Sequence, residues 1–477
     1  MKTLQHYIAG RWQAPVTEAG RFAVINPATE AQVAEILMGS AADVERAVAA
    51  ASGAFPAYAA LSVAERIELM RRLLAVFERR YAEMVEAITT EMGAPHDLSS
   101  RAQAASGPGH IRETITAALA LDWESKSGER GAVVREPVGV CGLITPWNWP
   151  MNQVAAKVAP ALLAGCTVVL KPSEQAPLSA QLFAEFIDEA RFPAGVFNMI
   201  HGTGPVVGHA LAVHPHVDMM SFTGSTRAGV SVAKAAADTV KRVAQELGGK
   251  SPNIVFADSD LEAAVKRGVL HCFSNTGQSC NAPTRMLVED SVYERAVQIA
   301  VAAGSAVKVG DPSKPGNQLG PVSSRMQFDK IQRCIEQGVA EGARLVLGGP
   351  ARPAGLEVGY YVRPTIFADV TNQMSIARDE IFGPVLSIMR FKTLDEAIAL
   401  ANDTPYGLAA YVQTQDLAKA REVARRLRAG SVYLNGAPQD YCSPVGGFKQ
   451  SGNGREWGMA GLLEFLEYKA INGYYAA

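Results

Sequence analysis

The chain has 477 residues, room for roughly three domains or two large ones at about 150 residues each. Hydrophobic residues make up 48% and charged residues 19%, which excludes a disordered or fibrous protein. Lys+Arg number 45 against 47 Asp+Glu, a formal charge of −2, and this balance argues against nucleic acid or an anionic membrane as the main partner. The six cysteines (Cys141, Cys166, Cys272, Cys280, Cys334, Cys442) are scattered without a C-x-x-C, so a disulfide framework or zinc ribbon is not expected and a reducing compartment fits. The opening residues lack the apolar core of a signal peptide, and no run approaches the roughly 18 apolar residues of a membrane span. A soluble, cytoplasmic protein is expected.

The first long element starts at Ser62, which with Glu65 forms a capping box, each side chain able to bond the other's free backbone N–H. Ile67, Met70, Leu73, Leu74, Phe77, Tyr81, Met84, Val85 and Ile88 recur at helical spacing, and Gly93 supplies a stop. The spacing predicts one helix over 62–93 with one buried face.

From about residue 138, short β-rich runs (138–144, 167–172, 195–200, 217–222, 240–249) alternate with Ala-rich helical stretches. That alternation indicates βαβ units and a mainly parallel sheet. Ligands of such sheets sit beyond the carboxyl ends of the strands, which directs attention to 145–150, 171–174, 201–205, 222–226 and 246–250. A second α/β block follows Lys250, with a strand near 284–289, a helix from Val292, a polar surface loop at 308–321 and strands around Ile366, Leu386 and Val432.

No strict G-x-G-x-x-G or P-loop occurs. Gly202-Thr-Gly204 with Gly208, and Phe222-Thr223-Gly224-Ser225-Thr226, each read equally as a pyrophosphate cradle or as an ordinary capped turn. Lys171 and Glu174 at a strand end suit ribose hydroxyls, the carboxylate favouring a 2′-OH over a 2′-phosphate; the plainer reading is a surface ion pair. Cys280 lies in a polar, Gly-containing segment where a thiolate can react, whereas a lone cysteine is more often a small buried hydrophobe, as Cys141, Cys166 and Cys272 read here. Glu246 ends an apolar strand that can raise its pKa and suit it to general-base work. Asn148, between prolines and tryptophans, offers an N–H for an oxyanion. His201/His209 and His214/His216 lack a further ligand at metal spacing; they read as exposed loop histidines, and no metal is expected.

Taken together, Pro146-Trp147-Asn148-Trp149-Pro150, Lys171-Pro-Ser173-Glu174, Phe222–Thr226, Glu246-Leu247-Gly248-Gly-Lys250, Gly277-Gln-Ser279-Cys280, Glu380-Ile-Phe382-Gly-Pro-Val385 and Gly446–Gly452 resemble, in order and separation, the motif series of the NAD(P)-dependent aldehyde dehydrogenase superfamily. The resemblance runs from about Ile8 to the C-terminus. It implies an α/β fold with a Rossmann-like cofactor domain (1–117 and 138–248), an α/β catalytic domain (249–446) and a small β oligomerisation element with the C-terminal segment (118–137 and 447–477). The strands of that element would lie around 118–137 and at Tyr468–Tyr475, and the assembly would be a homodimer or homotetramer. The implied reaction oxidises an aldehyde to its acid with NAD, or NADP, through a thiohemiacetal and thioester on Cys280.

By the same resemblance, Asn148 and the Cys280 backbone N–H hold the oxyanion, Glu246 activates the hydrolytic water, and Lys157 and Glu456 relay protons. Cofactor contacts are implied for Ile144, Thr145, Pro146, Trp147, Lys171, Ser173, Glu174, Gly204, Phe222, Thr223, Gly224, Ser225, Leu247, Gly248, Glu380 and Phe382. The implied substrate pocket is Trp147, Met151, Ser279, Asn281, Tyr441 and Val445. Ser279, Asn281 and Val445 depart from commoner family choices, suggesting an altered mouth, and no Arg stands at these positions or at Gln153, which disfavours a short dicarboxylic semialdehyde. A long-chain or aryl aldehyde fits better. A CoA-acylating enzyme of the same fold generally lacks the Glu246 base, and a non-catalytic protein on the scaffold would have had no need of Cys280, Glu246 and Asn148.

Overall fold

The computed structural model describes residues 2–17 and 19–475. Two seven-stranded sheets dominate it. The first runs, edge to edge, Arg242–Glu246, Met219–Thr223, Val140–Ile144, Thr167–Lys171, Phe197–Met199, His6–Ile8 and Arg11–Gln13. Its first five strands are parallel, and an antiparallel N-terminal hairpin completes the edge. Chain order starts at Val140–Ile144, steps outward through Thr167–Lys171 to Phe197–Met199, then returns to the other side at Met219–Thr223. That reversal opens a crevice beyond Ile144 and Thr223, where open α/β sheets bind ligands.

Helices cover both faces of this sheet. The helix Pro150–Ala164 is buried on almost every side, as a helix apolar all round must be, and Pro150 at its first turn presets the starting φ. Val63–Arg79, Ser106–Ala120 and Pro177–Glu189 pack around it in one core, while Ala41–Ala59 and Thr226–Ala236 close the opposite face. Each large side chain fully buried here, such as Leu162 or Phe183, contributes about 1.5–3 kcal/mol.

The capping box forms as expected, with Ser62 Oγ accepting from Glu65 N–H, and Gly93 closes the segment at φ 76°. The single helix over 62–93 does not form. It is two helices, Val63–Arg79 and Tyr81–Met92, broken at Arg80, whose ψ of 20° leaves the helical region. Arg80 is drawn sideways into pairs with Glu83 and Glu185, and the break is invisible to periodicity because Phe77 and Tyr81 stay in register across it.

The second large sheet runs Arg344–Leu347, Thr365–Ala368, Val385–Phe391, Arg285–Glu289, Pro252–Val255, Ala409–Gln413 and Ser431–Leu434, parallel except for its first pair. A three-stranded sheet joins Glu124–Ser127, Gly131–Pro137 and Leu466–Ile471. Residues 118–120 end the helix before it, and the last strand stops at Ile471 rather than Tyr475, because the chain turns at Gly473, φ 77°. Tyr474 and Tyr475 instead place their hydroxyls on Glu124, at 2.9 and 3.0 Å. No helix among the described residues is long and apolar enough to cross a membrane.

Candidate active site

Between the two large sheets lies a cavity of about 390 Å³. Cys280, Glu246, Glu456, Ser279, Asn281, Tyr441 and Val445 line it, with Trp149, Trp457, Tyr433, His271 and Arg101.

Cys280 reaches the cavity through a strained loop. After the helix Leu261–Phe273, Asn275 (φ 55°), Thr276 (φ 54°) and Gly277 (φ 71°) take left-handed conformations in succession. At the two non-glycine positions this costs about 1–3 kcal/mol each and persists only where the surroundings hold it. Here a buried amide cluster does. Gln103 Nε2 donates to Asn148 O at 3.1 Å and to Asn275 Oδ1 at 3.0 Å. Asn275 Nδ2 donates to Asn148 O and Gln278 O, and Asn148 Nδ2 donates to Gln278 O at 2.9 Å. Asn148 thus keeps its second N–H, and its backbone is bolted to the loop that carries the cysteine. Gly277 must be glycine, since a Cβ there would sit 2.1 Å from the Gly383 backbone.

The Cys280 thiol is half-buried, and its crowded surroundings push its pKa up to about 12, burial acting first and the carboxylates of Glu380 and Glu246 adding to it. Glu246, at the end of its strand, is 6% exposed and neither carboxylate oxygen has a hydrogen-bond partner among the described residues. Burial, then the charge of Glu456, raises its pKa well above the ordinary carboxylate range, while Lys157 opposes that shift. Lys157 pairs with Glu456 in the interior and donates to Ser221 Oγ at 3.1 Å. Glu456 is held by a two-way backbone bridge to Val445, and the chain at Gly452 bridges back to Glu246.

The crevice of the first sheet adjoins this centre. Lys171, 3% exposed, donates to Pro172 O at 2.8 Å and to Glu174 Oε2 at 3.3 Å, and Gln175 N–H donates to Ser173 Oγ. Ser225 caps the helix Thr226–Ala236 by accepting from Ala228 N–H, and a Cβ on Gly204 would meet open space. The hydroxyls of Thr145 and Thr223 are buried at the crevice without a partner among the described residues. Leu247 N–H donates to Ser451 O, and Ser451 Oγ donates to Gly248 O. Glu380 Oε1 accepts from Gly249 N–H at 3.0 Å, and Phe382, at φ 64°, meets Trp147 edge-on at 5.5 Å.

The Aldehyde dehydrogenase family model matches residues 12–471. The chain belongs to that family. A 3-succinoylsemialdehyde-pyridine dehydrogenase of a Pseudomonas species is 54% identical over 471 residues, covering 98% of each chain. An aldehyde dehydrogenase from Bartonella henselae has the same architecture, with a TM-score of 0.97 at 51% identity over 99% of this chain and 100% of that one. A mutant aldehyde dehydrogenase C of Pseudomonas syringae, solved with NAD+ and octanal, gives a TM-score of 0.98 at 50% identity over 99% of this chain and 97% of that one.

Within this aldehyde dehydrogenase fold, two expected pocket residues lie elsewhere. Trp147 turns to Phe382 on the crevice side, and Met151 is fully buried beneath the helix Ser106–Ala120, near Gly107. Helix direction explains Met151, because Pro150 starts a helix that carries it inward, whereas Trp147 sits in the turn before that helix. Trp149, two residues from the expected Trp147, faces the cavity, its Nε1 donating to Ser279 Oγ at 2.8 Å. Two histidines also depart from expectation: His201 (beside Gln181) and His214 (bonded to Glu45) are buried, and only His209 and His216 are exposed. Each follows the end of an element that turns its ring into the layer below. Among the described residues no His, Cys, Asp or Glu cluster of three can hold a metal. The residues passed over in the sequence are Gln103, Asn275, Arg101, His271 and Tyr433. The Asn275-Thr-Gly run was the one available hint of the loop strain.

Proposed function

We propose that this aldehyde dehydrogenase oxidises a long-chain or aryl aldehyde to its carboxylic acid with NAD, by covalent catalysis at Cys280. The observation that carries this reading is that Cys280 and the unpartnered Glu246 carboxylate share one cavity. In this reading the Cys280 thiolate attacks the aldehyde carbon. The oxyanion is held by the free Asn148 side-chain N–H and the Cys280 backbone N–H. Collapse expels hydride and leaves a thioester on Cys280, which a water deprotonated by Glu246 hydrolyses, releasing the acid and restoring the thiol. Lys157 and Glu456, against Glu246, are placed to pass the proton outward.

The crevice fits NAD. Two orphaned threonine hydroxyls, open space at Gly204, and Lys171 with Glu174 offer donors and acceptors where a dinucleotide would lie. When bound, NAD supplies the hydride acceptor. The Pseudomonas syringae enzyme solved with NAD+ and octanal, and an indole-3-acetaldehyde dehydrogenase solved with NAD+ at 40% identity, support both cofactor and substrate class. Aromatic walls from Trp149, Trp457, Tyr433 and Tyr441 suit an extended or aryl chain, with Arg101 as the one cation among the lining residues and His271 kept neutral by burial.

We further infer a cofactor unit (1–117 and 138–248), a catalytic unit (249–446) and an oligomerisation element, a homodimer or homotetramer and a cytoplasmic location. The exposed three-stranded sheet supports the assembly, since bare sheet edges invite pairing.

Reduced-cofactor formation across aliphatic, aryl and semialdehyde substrates, with NAD or NADP and with or without CoA, tests the reaction. Turnover without CoA that is lost in Cys280→Ala, with NAD binding retained, is expected. Turnover surviving in that variant rejects Cys280 as nucleophile.

A further inference from the structure

The helix Pro177–Glu189 starts six residues after the strand end that holds Lys171, and its own sequence gives it no cap. Ala176 has no side-chain acceptor and Pro177 no N–H, so the next donors, on Leu178 and Ser179, need an outside partner. That partner is Glu91, near the end of the helix Tyr81–Met92 and 87 residues earlier in the chain than Leu178. One oxygen accepts from Leu178 N–H, and the other from Ser179 N–H at 3.1 Å. Glu91 is 0% exposed, and an isolated carboxylate at such a site is costly unless its hydrogen bonds and the positive end of a helix compensate. Burial pushes its pKa up to about 7 while both N–H donors pull it down.

The five residues between the strand and this helix contain Ser173 and Glu174. They have few independent ways to move, because Gln175 N–H bonds Ser173 Oγ at 3.2 Å and Ala176 N–H bonds Ser173 O at 3.3 Å. Their position is therefore set by two anchors, Lys171 in the sheet and the capped first turn of the helix. We propose that Glu91 is a positioning residue for the ribose end of the cofactor site, capping the helix Pro177–Glu189 and so fixing the loop that presents Ser173 and Glu174. This rests on reading Lys171 and Glu174 as ribose contacts.

The test is NAD binding by full-length Glu91→Gln and Glu91→Ala, followed by quenching of tryptophan fluorescence at about pH 8, above the Glu91 pKa. Loss of a helix cap sets the scale: about ten-fold weaker NAD binding in the alanine variant and about three-fold in the glutamine variant, which keeps one acceptor. At saturating NAD, kcat and the KM for octanal are expected within about two-fold of wild type, the split that general loosening of the fold would not give. If the alanine variant does not fold, the glutamine variant decides. Unchanged NAD affinity, or kcat and octanal KM moving with it, overturns the proposal. A wild-type protein that binds no NAD overturns the cofactor reading itself, and this inference falls with it.

Discussion

Replacing Gln103 by leucine removes the donor that bridges Asn148 O and Asn275 Oδ1. Gln103 Oε1 has no partner among the described residues, so the loss is confined to the bonds from Nε2, to Asn148 O, Asn275 Oδ1 and, weakly, Met92 Sδ. Asn148 O keeps its bond from Asn275 Nδ2, but Asn275 Oδ1 is left buried with no other donor among the described residues. Stranding that oxygen costs about 1–3 kcal/mol and the second lost bond about 1 kcal/mol, partly offset by burying leucine in place of an amide. About 2–3 kcal/mol remains, enough to release part of the strain at Asn275 and Thr276 and let Cys280 drift from Asn148. If the loss appears in the transition state, kcat/KM for octanal falls about 30- to 150-fold, since each 1.4 kcal/mol is about ten-fold. Steady-state kinetics, the rate of Cys280 alkylation by iodoacetamide and a melting curve measure it together. Kinetics and alkylation both within two-fold of wild type would refute the idea that this cluster holds the loop.

Glu246→Gln keeps the shape of the base without its charge; a single burst of reduced cofactor followed by a stall at the thioester is expected, with steady turnover down about 10²–10⁴-fold. No burst would place Glu246 earlier, in activating Cys280. Because the pKa values of Glu246 and Cys280 are both raised and both act deprotonated, turnover should climb from about pH 6 to pH 9. A flat profile across that range contradicts both assignments. Glu174→Gln should narrow the preference for NAD over NADP by removing the charge that repels a 2′-phosphate, and an unchanged KM ratio removes that argument.

The strand–helix alternation was readable because buried parallel strands are short apolar runs whose ends concentrate Gly, Ser, Thr and charge. Cys280 stood out only as a member of an ordered motif series, since singly it matched an ordinary buried cysteine; Glu246 drew attention by itself, as a carboxylate ending an apolar strand. The amide cluster was not legible, because Gln103 lies in a segment with no motif and meets Asn275, 172 residues later, only after folding. Trp149 was missed for Trp147 because the irregular turn leading into the helix at Pro150 sends the two rings to different sides, Trp147 to Phe382 and Trp149 to Ser279. Arg80 shows the converse limit, since a one-residue break leaves the hydrophobic rhythm intact.

Residues 451–456 lie along the strand end at Gln245–Gly248, through Asn453 N–H to Gln245 O, Ser451 to Leu247 and Gly248, and Glu456 against Lys157. During synthesis, the thiol at 280 therefore leaves the ribosome long before its surroundings can be finished. A nascent or truncated chain that stops short of 451 carries Cys280 but neither the floor beneath Glu246 nor the counter-charge to Lys157. The pocket is therefore completed late in translation, and an incomplete chain leaves Lys157 in the interior without its partner carboxylate.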